Sequence, residues 1–538
     1  MREDCSSLSA AAPSEAYVPR LEWMALAAAG VALLVLRAVA LFHQAVDSDE
    51  TQHLHVAWAW SEGFVQYRDV FDNHAPLLHL LSAPLVALVG ERADVVLWVR
   101  MAMVPLFLVT LLAAFFIARR LYSPRVACWA VAIVAFYPPF FLKSLEYRAD
   151  NLWAALSMLA VALLVSRRNA ASGFVLGCAV CASIKTLPLV LAVILCALCC
   201  HPPSAIRHLP LRRAVAAVAA FLAMPAAIAV LFALRGAWSA MLYCVFEFNL
   251  LVTRPERNAP LAALLCALAI LLASVLLARL WNRTDEVRRD RLRVAYLVTV
   301  FALITQAFWP ILSQRDYLAV MPLLAMFLVG EAIDRPLREF SAPVLAALVL
   351  LFGASLFRYT SGFRDHTARH IAAMRQVLEL TRPGEWVMDH KGETVFRHRP
   401  FYYALETVAR TAIAGRKIAD TIPEDIVARR CHVAGPLDDY YPPRARAFLR
   451  KYFLDVGALR ASGQWVRRDG AFAIAVPGRY VIATERGLAR GMLDGTPLTG
   501  PVTLRAGTHR FVRTAAGERV ACFWADAYER GYSPFRLP

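Results

Sequence analysis

The 538-residue chain is 59% hydrophobic and only 18% charged, with a mean hydropathy of +0.49. Soluble domains carry about 25% charged residues, so this composition excludes a disordered chain and argues against a soluble enzyme. The net charge of +17 is dispersed, without a run of five basic residues that would mark a nucleic-acid arm, and suits anionic headgroups or phosphate-bearing substrates.

A helix needs about 20 apolar residues to cross a hydrocarbon core about 30 Å thick. Runs at 22–43, 95–118, 125–143, 151–166, 172–185, 187–200, 213–234, 260–280, 294–312, 317–333 and 341–357 predict eleven spans of a membrane α-helical bundle. The first run is long, carries Arg37 and lacks a small-residue cleavage site, so it reads as a retained span, not a signal peptide. Segments 50–62 and 77–90 are too short to cross and predict interfacial or re-entrant helices, with Trp58 and Trp60 at headgroup level. Pro138-Pro139 should break the third span near its outer end. Lys185-Thr186 interrupts 172–200, which predicts either a broken pair or one kinked helix. The CxxC spacings Cys178/Cys181 and Cys196/Cys199 lie in apolar runs and read as small packing residues. Cys431 and Cys522 permit one disulfide without indicating it.

Basic residues alternate between loops. Arg119, Arg120 and Arg125, Arg167 and Arg168, Arg207, Arg212 and Arg213, the five arginines between Arg283 and Arg293, and Arg335 and Arg338 all fall on one side. The positive-inside rule makes that side cytoplasmic. It places the tail 1–20 inside, and the loop 44–94 and the last 180 residues outside. After residue 358 the composition changes. Residues 359–470 alternate strand-like Trp386–Met388 and Cys431–Ala434 with helix-like His370–Leu380 and Pro443–Phe453. Residues 471–538 carry β-branched and aromatic runs broken by Pro477-Gly478, Asp494-Gly495 and Ala506-Gly507, a β-rich pattern.

The outer loops hold the ionisable residues. The first contains Asp47, Asp49, Glu50, Asp69, Asp72 and His74; acids just past a helix also suit N-capping of the next one. Later turns supply Lys143, Glu146, Arg148 and Asp150, then Lys185, then Glu247, Asn249, Arg254, Glu256 and Arg257, then Arg315, Asp316 and Tyr317. Ionisable groups at membrane depth are costly and default to a functional reading. Together they predict one polar cavity opening outward between helices.

Asp49-Glu50 after the first span, an interfacial helix, Pro76-Leu77, Arg148 with Asp150, the turn Ile184-Lys185-Thr186, and Gln314-Arg315-Asp316-Tyr317-Leu318 leading into Met321-Pro322-Leu323-Leu324 resemble the GT-C integral-membrane glycosyltransferases. The resemblance covers roughly residues 20–357. It is nearest to the polyprenyl-phosphate-sugar-dependent branch that includes the protein O-mannosyltransferases and the lipid A aminoarabinose transferase. It implies a bundle of about 11–13 transmembrane helices (residues 21–358) with an extracytoplasmic α/β plus β-rich module, in a bacterial inner membrane. It also implies inverting transfer from a sugar on a polyprenyl phosphate to an acceptor hydroxyl or amine on a glycan, lipid or protein.

Carried over, the catalytic base falls on Asp49, with Glu50 adjacent and Asp47 a less favoured substitute. Arg148, Lys185 and Arg315 would bind the donor phosphate, and Asp150, Asp316 and Tyr317 the acceptor or sugar. Asp72, His74 and Glu247 would hold a divalent cation, although Phe248 stands where the aminoarabinose transferase pattern has a histidine. Phe136, Tyr137, Phe140 and Phe141 would line a groove for the lipid tail. A transporter or flippase shares the hydrophobicity and buried charges; it is disfavoured by the lack of repeated halves and by the acid-rich first loop. A non-catalytic envelope assembly protein working through its C-terminal module is the third reading.

Overall fold

A computed structural model describes residues 18–200, 211–251, 259–281, 283–309, 312–334, 338–359, 364–514 and 518–535. The tail before Val18, and the loop residues Arg207, Arg254, Glu256, Arg257 and Arg335, lie outside the described residues.

All eleven apolar segments are helical. In chain order the first helices are α1 (Arg20–His43), α2 (Ser48–Ser61), α3 (Leu77–Val89), α4 (Val95–Met101), α5 (Val104–Leu121), α6 (Pro124–Phe136), α7 (Pro138–Lys143), α8 (Ala149–Val165), α9 (Asn169–Ala182) and α10 (Thr186–Cys200). Helices at Leu211–Leu234, Ala259–Trp281, Glu286–Phe308, Met321–Asp334 and Arg338–Tyr359 complete the bundle. Among the described residues, six helical stretches are long and apolar enough to cross a membrane alone: Arg20–His43, Val95–Leu121, Arg212–Leu234, Pro260–Trp281, Glu286–Phe308 and Ser341–Arg358. Exposed Leu34, Leu112, Leu271 and Leu350 on these helices would be unfavourable in water and are at home in lipid.

The expected segment 125–143 is two helices, because Pro138 cannot continue the α6 hydrogen-bond ladder. Segment 172–200 is a broken pair: α9 ends at Ala182 and α10 starts at Thr186, leaving Lys185 in the gap. The helix expected at 294–312 starts eight residues earlier, at Glu286. Asp285 caps it by accepting from the Arg288 N–H at 2.9 Å, so the arginines placed in a loop wind onto its first turns. Segment 50–62 is packed inside the protein. Residues Glu50 to Ala59 of α2 are buried, and Trp58 packs against His398 of the C-terminal module, ring centroids 5.4 Å apart. The α9 residues Gly173 and Gly177 let that helix meet Leu211–Leu234 closely; a Cβ on either would collide with the carbonyl of Ala217 or Phe221.

Two ion clusters mark the ends of the bundle. At the start of α1, Glu22 accepts from Arg125 at 2.8 and 2.9 Å and from Trp129 at 3.0 Å. The opposite end, where α1 runs into α2, carries the site described below.

The module begins with helix Thr367–Leu380 and is tied to the bundle where the His366 N–H donates to the His43 carbonyl at 2.8 Å. Its eight-stranded sheet runs β1 (Val387–Met388), β2 (Val433–Ala434), β4 (Leu459–Trp465), β12 (Ala521–Trp524), β6 (Gly478–Thr484), β10 (Val502–Leu504). In that sheet β3 (Phe453–Val456) pairs with β4 and β7 (Gly487–Leu488) with β6. The β1–β2 pair is parallel and the rest are antiparallel. Because β4 pairs with β12, residues 359–470 and 471–538 share one sheet. A four-stranded sheet, β5 (Ala471–Ile474), β11 (Gly507–Arg513), β8 (Gly491–Leu493) and β9 (Thr496–Pro497), packs a small second core around Phe472, Tyr480 and Phe511. Cys431 and Cys522 are both buried free thiols.

Candidate active site

The site starts where α1 ends. Asp47 caps α2, its carboxylate accepting from the Asp49 N–H at 3.0 Å, while the Glu50 carboxylate reaches back to the Asp47 N–H at 3.0 Å. This reciprocal box satisfies the orphan donors of the first turn and sets the directions of the three acids. Glu50 is fully buried. It also accepts from Arg100 Nε at 2.8 Å, from Arg100 NH2 at 2.6 Å and from the Tyr147 N–H at 2.9 Å. Every acceptor direction of Glu50 is used by the protein. The structure therefore separates it from Asp49 and gives it a holding role between α2, α4 and the start of α8.

Asp49 is partly open to solvent, with 21% of its side chain exposed. One oxygen is paired with Arg148, and the other accepts from Lys391 Nζ at 2.6 Å. Burial alone would raise this carboxyl, but Arg148 and Lys391 outweigh it and hold Asp49 well below the usual carboxylate range. Arg148 also reaches Asp47 at 3.1 Å and Asp150 at 3.2 Å. Asp150 accepts from Lys185 at 2.5 Å, and Lys185 in turn meets Asp316 at 2.7 Å. Arg315 pairs with Asp47 and, at 3.1 Å, with Glu146. The first loop, the starts of α8 and α10, and the turn Ser313–Tyr317 thus meet in one network containing Asp49, Arg148, Asp150, Lys185, Arg315 and Asp316. Asp150 and Asp316 face Lys185 within it.

The Tyr317 hydroxyl donates to Gln306 Oε1 at 2.8 Å, and Tyr317 lines an apolar groove of about 900 Å³ between α6 and the helices Met321–Asp334 and Arg338–Tyr359. Tyr137, Leu328, Leu345 and Phe352 line the same groove, which ends at Ser313 and Gln314, beside Arg315. Of the aromatics expected there, Tyr137 is present; Phe136, Phe140 and Phe141 are buried in the bundle instead.

Asp72 is fully buried and accepts from Gln52 at 3.0 Å, Gln66 at 2.8 Å and His74 at 2.8 Å. Burial would raise its carboxyl, yet His74, His79 and these donors hold it below the ordinary value. Glu247, expected as its co-ligand, is exposed on a π turn and is not part of this cluster. The π turn and the 3-10 turn after it carry Cys244 and Phe248 inward and leave Glu247 outward. The group that could hold a metal among the described residues is His53, Asp72 and His79, with ligand atoms within 4.8 Å of one another. His53 Nδ1 and His79 Nε2 lie 2.8 Å apart, His79 Nδ1 lies 3.5 Å from Asp72 Oδ2, and His53 Nε2 is buried without a hydrogen-bond partner. Two imidazoles and one carboxylate fit a small cation of the nitrogen- and oxygen-binding type.

Three contributors were not singled out from the sequence. Arg100 lies inside a run read as a span, and an arginine there was itself the available signal. Lys391 and Glu406 come from the module, over 300 residues from Asp49, and no local pattern announces them. Glu406 receives Asn73 Nδ2 at 3.4 Å, and burial pushes its carboxyl up to about 7.

No protein-family model matches the chain, and no curated protein sequence does. Among solved structures, ArnT from Cupriavidus metallidurans bound to undecaprenyl phosphate aligns with a TM-score of 0.55 at 13% identity, over 84% of this chain and 97% of its own. The apo form of the same protein aligns with a TM-score of 0.53 at 14% identity, over 77% and 93%. The Archaeoglobus fulgidus oligosaccharyltransferase in its apo form aligns at 0.48 and 12% identity, over 87% and 74%. The chain shares the fold of the Cupriavidus protein.

Proposed function

We propose that the protein is an integral-membrane inverting glycosyltransferase, taking a sugar from a polyprenyl-phosphate donor to an acceptor hydroxyl or amine. The observation that carries this reading is the placement of Asp49, a carboxylate open to solvent, within an arginine- and lysine-rich network that adjoins an apolar groove. A lipid phosphate needs that pairing of tail groove and cationic end. The fold shared with a protein solved with undecaprenyl phosphate supports the same donor class.

In this reading the acceptor oxygen attacks the anomeric carbon while the bond from that carbon to the phosphate oxygen breaks. The acceptor proton passes to Asp49, and the polyprenyl phosphate leaves. A weakly basic carboxylate suffices, because the attacking hydroxyl becomes acidic only as its bond to an oxocarbenium-like carbon forms. Arg148, Lys185 and Arg315 face the developing phosphate charge, and Asp150 and Asp316 fix Lys185. A divalent cation held by His53, Asp72 and His79 would add positive charge nearby. Arg125 meets Glu22 at the start of α1, the opposite end of that helix from Asp49, and Arg291 meets the Leu121 carbonyl; arginines on that side support an extracytoplasmic site with the N-terminus inside. The test is transfer of labelled sugar by membranes carrying the protein. Asp49→Asn should lower it by about 10²–10⁴-fold; unchanged transfer would remove Asp49 from the mechanism.

A further inference from the structure

The module delivers one cation to Asp49, and the turn that carries it is built for the purpose. Asp389 accepts from the Gly392 N–H at 2.7 Å, the Thr394 N–H at 2.8 Å, the Thr394 hydroxyl at 2.7 Å and Arg399 Nε at 2.7 Å. Glu393 accepts from the Lys391 N–H at 2.9 Å. Gly392 has φ +97°, and a Cβ there would lie 2.7 Å from the Cβ of His55 on α2. His55 Nδ1 meets the Val395 carbonyl at 2.6 Å, so the turn is bonded to the helix that carries Asp49. Val395 itself sits at φ +42°, a conformation a β-branched residue rarely adopts. Strain of this kind persists only where the surroundings over-determine it, and it concentrates at functional sites. The output of the turn is Lys391 Nζ, 2.6 Å from Asp49 Oδ1, with an 11% exposed side chain.

We infer that Lys391 is a positioning residue of the transfer site: it fixes the direction of the Asp49 carboxylate, and makes the C-terminal module an obligatory part of the catalytic centre. The inference rests on the transferase reading above. The other charged groups facing Asp49 are Arg148 from the start of α8, His74 from the loop before α3, Asp47 from its own turn, and Glu406 from the module. Removing Lys391 leaves Arg148 and His74 to offset burial, so the Asp49 carboxyl moves up. A step that needs it ionised then fails at a higher pH.

The experiment uses the full-length protein in liposomes, with transfer of labelled sugar followed down to the lowest pH at which the protein stays folded. Lys391→Met should lower kcat about tenfold or more, with the donor KM held within about twofold. Its acid limb should move to higher pH than the wild-type limb. Lys391→Gln, which keeps a hydrogen bond without the charge, should shift the limb the same way, and Lys391→Arg should restore most of the rate. The double variant Asp49→Asn/Lys391→Met should be no slower than Asp49→Asn alone, because the lysine acts through the acid. Wild-type kcat and an unmoved limb in Lys391→Met, or losses that multiply in the double variant, would overturn the inference while leaving the transferase reading standing. A wild-type protein that transfers nothing would overturn both.

Discussion

Asp49 and Glu50 are neighbours in sequence with opposite surroundings. Asp49 is partly open and held by two cations of different elements, whereas Glu50 is sealed against Arg100. Removing one partner of a sealed ion pair leaves an unpaired charge in a dry site, at a cost of about 3–5 kcal/mol. Glu50→Gln should therefore lower the thermal melting of the purified protein more than Asp49→Asn does, while Asp49→Asn should lose transfer. The acid-rich loop was legible in the sequence, but the division of labour within it was not, since it depends on which acid the Asp47 cap turns inward. Glu406 adds a pH test. Its folded-state carboxyl lies at about 7, above its ordinary value of 4.5, because it is buried. A raised acid costs the fold nothing below its unfolded value and most once pH passes the folded one. Glu406→Gln should thus raise the melting temperature at pH 8 and leave it nearly unchanged at pH 4. An equal effect at both would mean the carboxyl titrates normally.

At the level of elements, the apolar runs declared themselves by length, and the breaks at Pro138 and at Lys185-Thr186 fell where the sequence marks them. Less legible were helix starts set by caps, such as Asp285, and the burial of α2 between the bundle and the docked module. The α9 contact with Leu211–Leu234 depends on two missing side chains. Gly177→Val should destabilise the bundle by about 1–3 kcal/mol through overpacking, read as a lower melting temperature in detergent. The groove makes a kinetic prediction. Leu328→Trp on Met321–Asp334 fills space that the lipid chain would take, so it should raise the donor KM about tenfold, equivalent to about 1.4 kcal/mol, with little change in kcat. An unchanged KM would place the tail elsewhere.

Across the whole molecule, the site is assembled from the loop after α1, three later helix starts or turns, and a module that begins beyond residue 358. Sequence alone placed the loop charges on one side of the bundle, because sidedness follows from the alternation of arginines. It could not bring Lys391 to Asp49, because that contact depends on how the module docks through His55, Tyr67 and Gln44. A metal held by the His53 group predicts that chelation slows transfer and that His79→Ala removes the sensitivity. The central claim is that this bundle breaks a bond between a sugar and a lipid phosphate. The direct measurement reconstitutes the purified protein with a labelled polyprenyl-phosphate sugar and an envelope extract as acceptor, and follows both release of free polyprenyl phosphate and movement of the intact lipid across the bilayer. The account predicts release that depends on acceptor and disappears in Asp49→Asn. Movement of the intact lipid-linked sugar with its phosphate bond unbroken would contradict it.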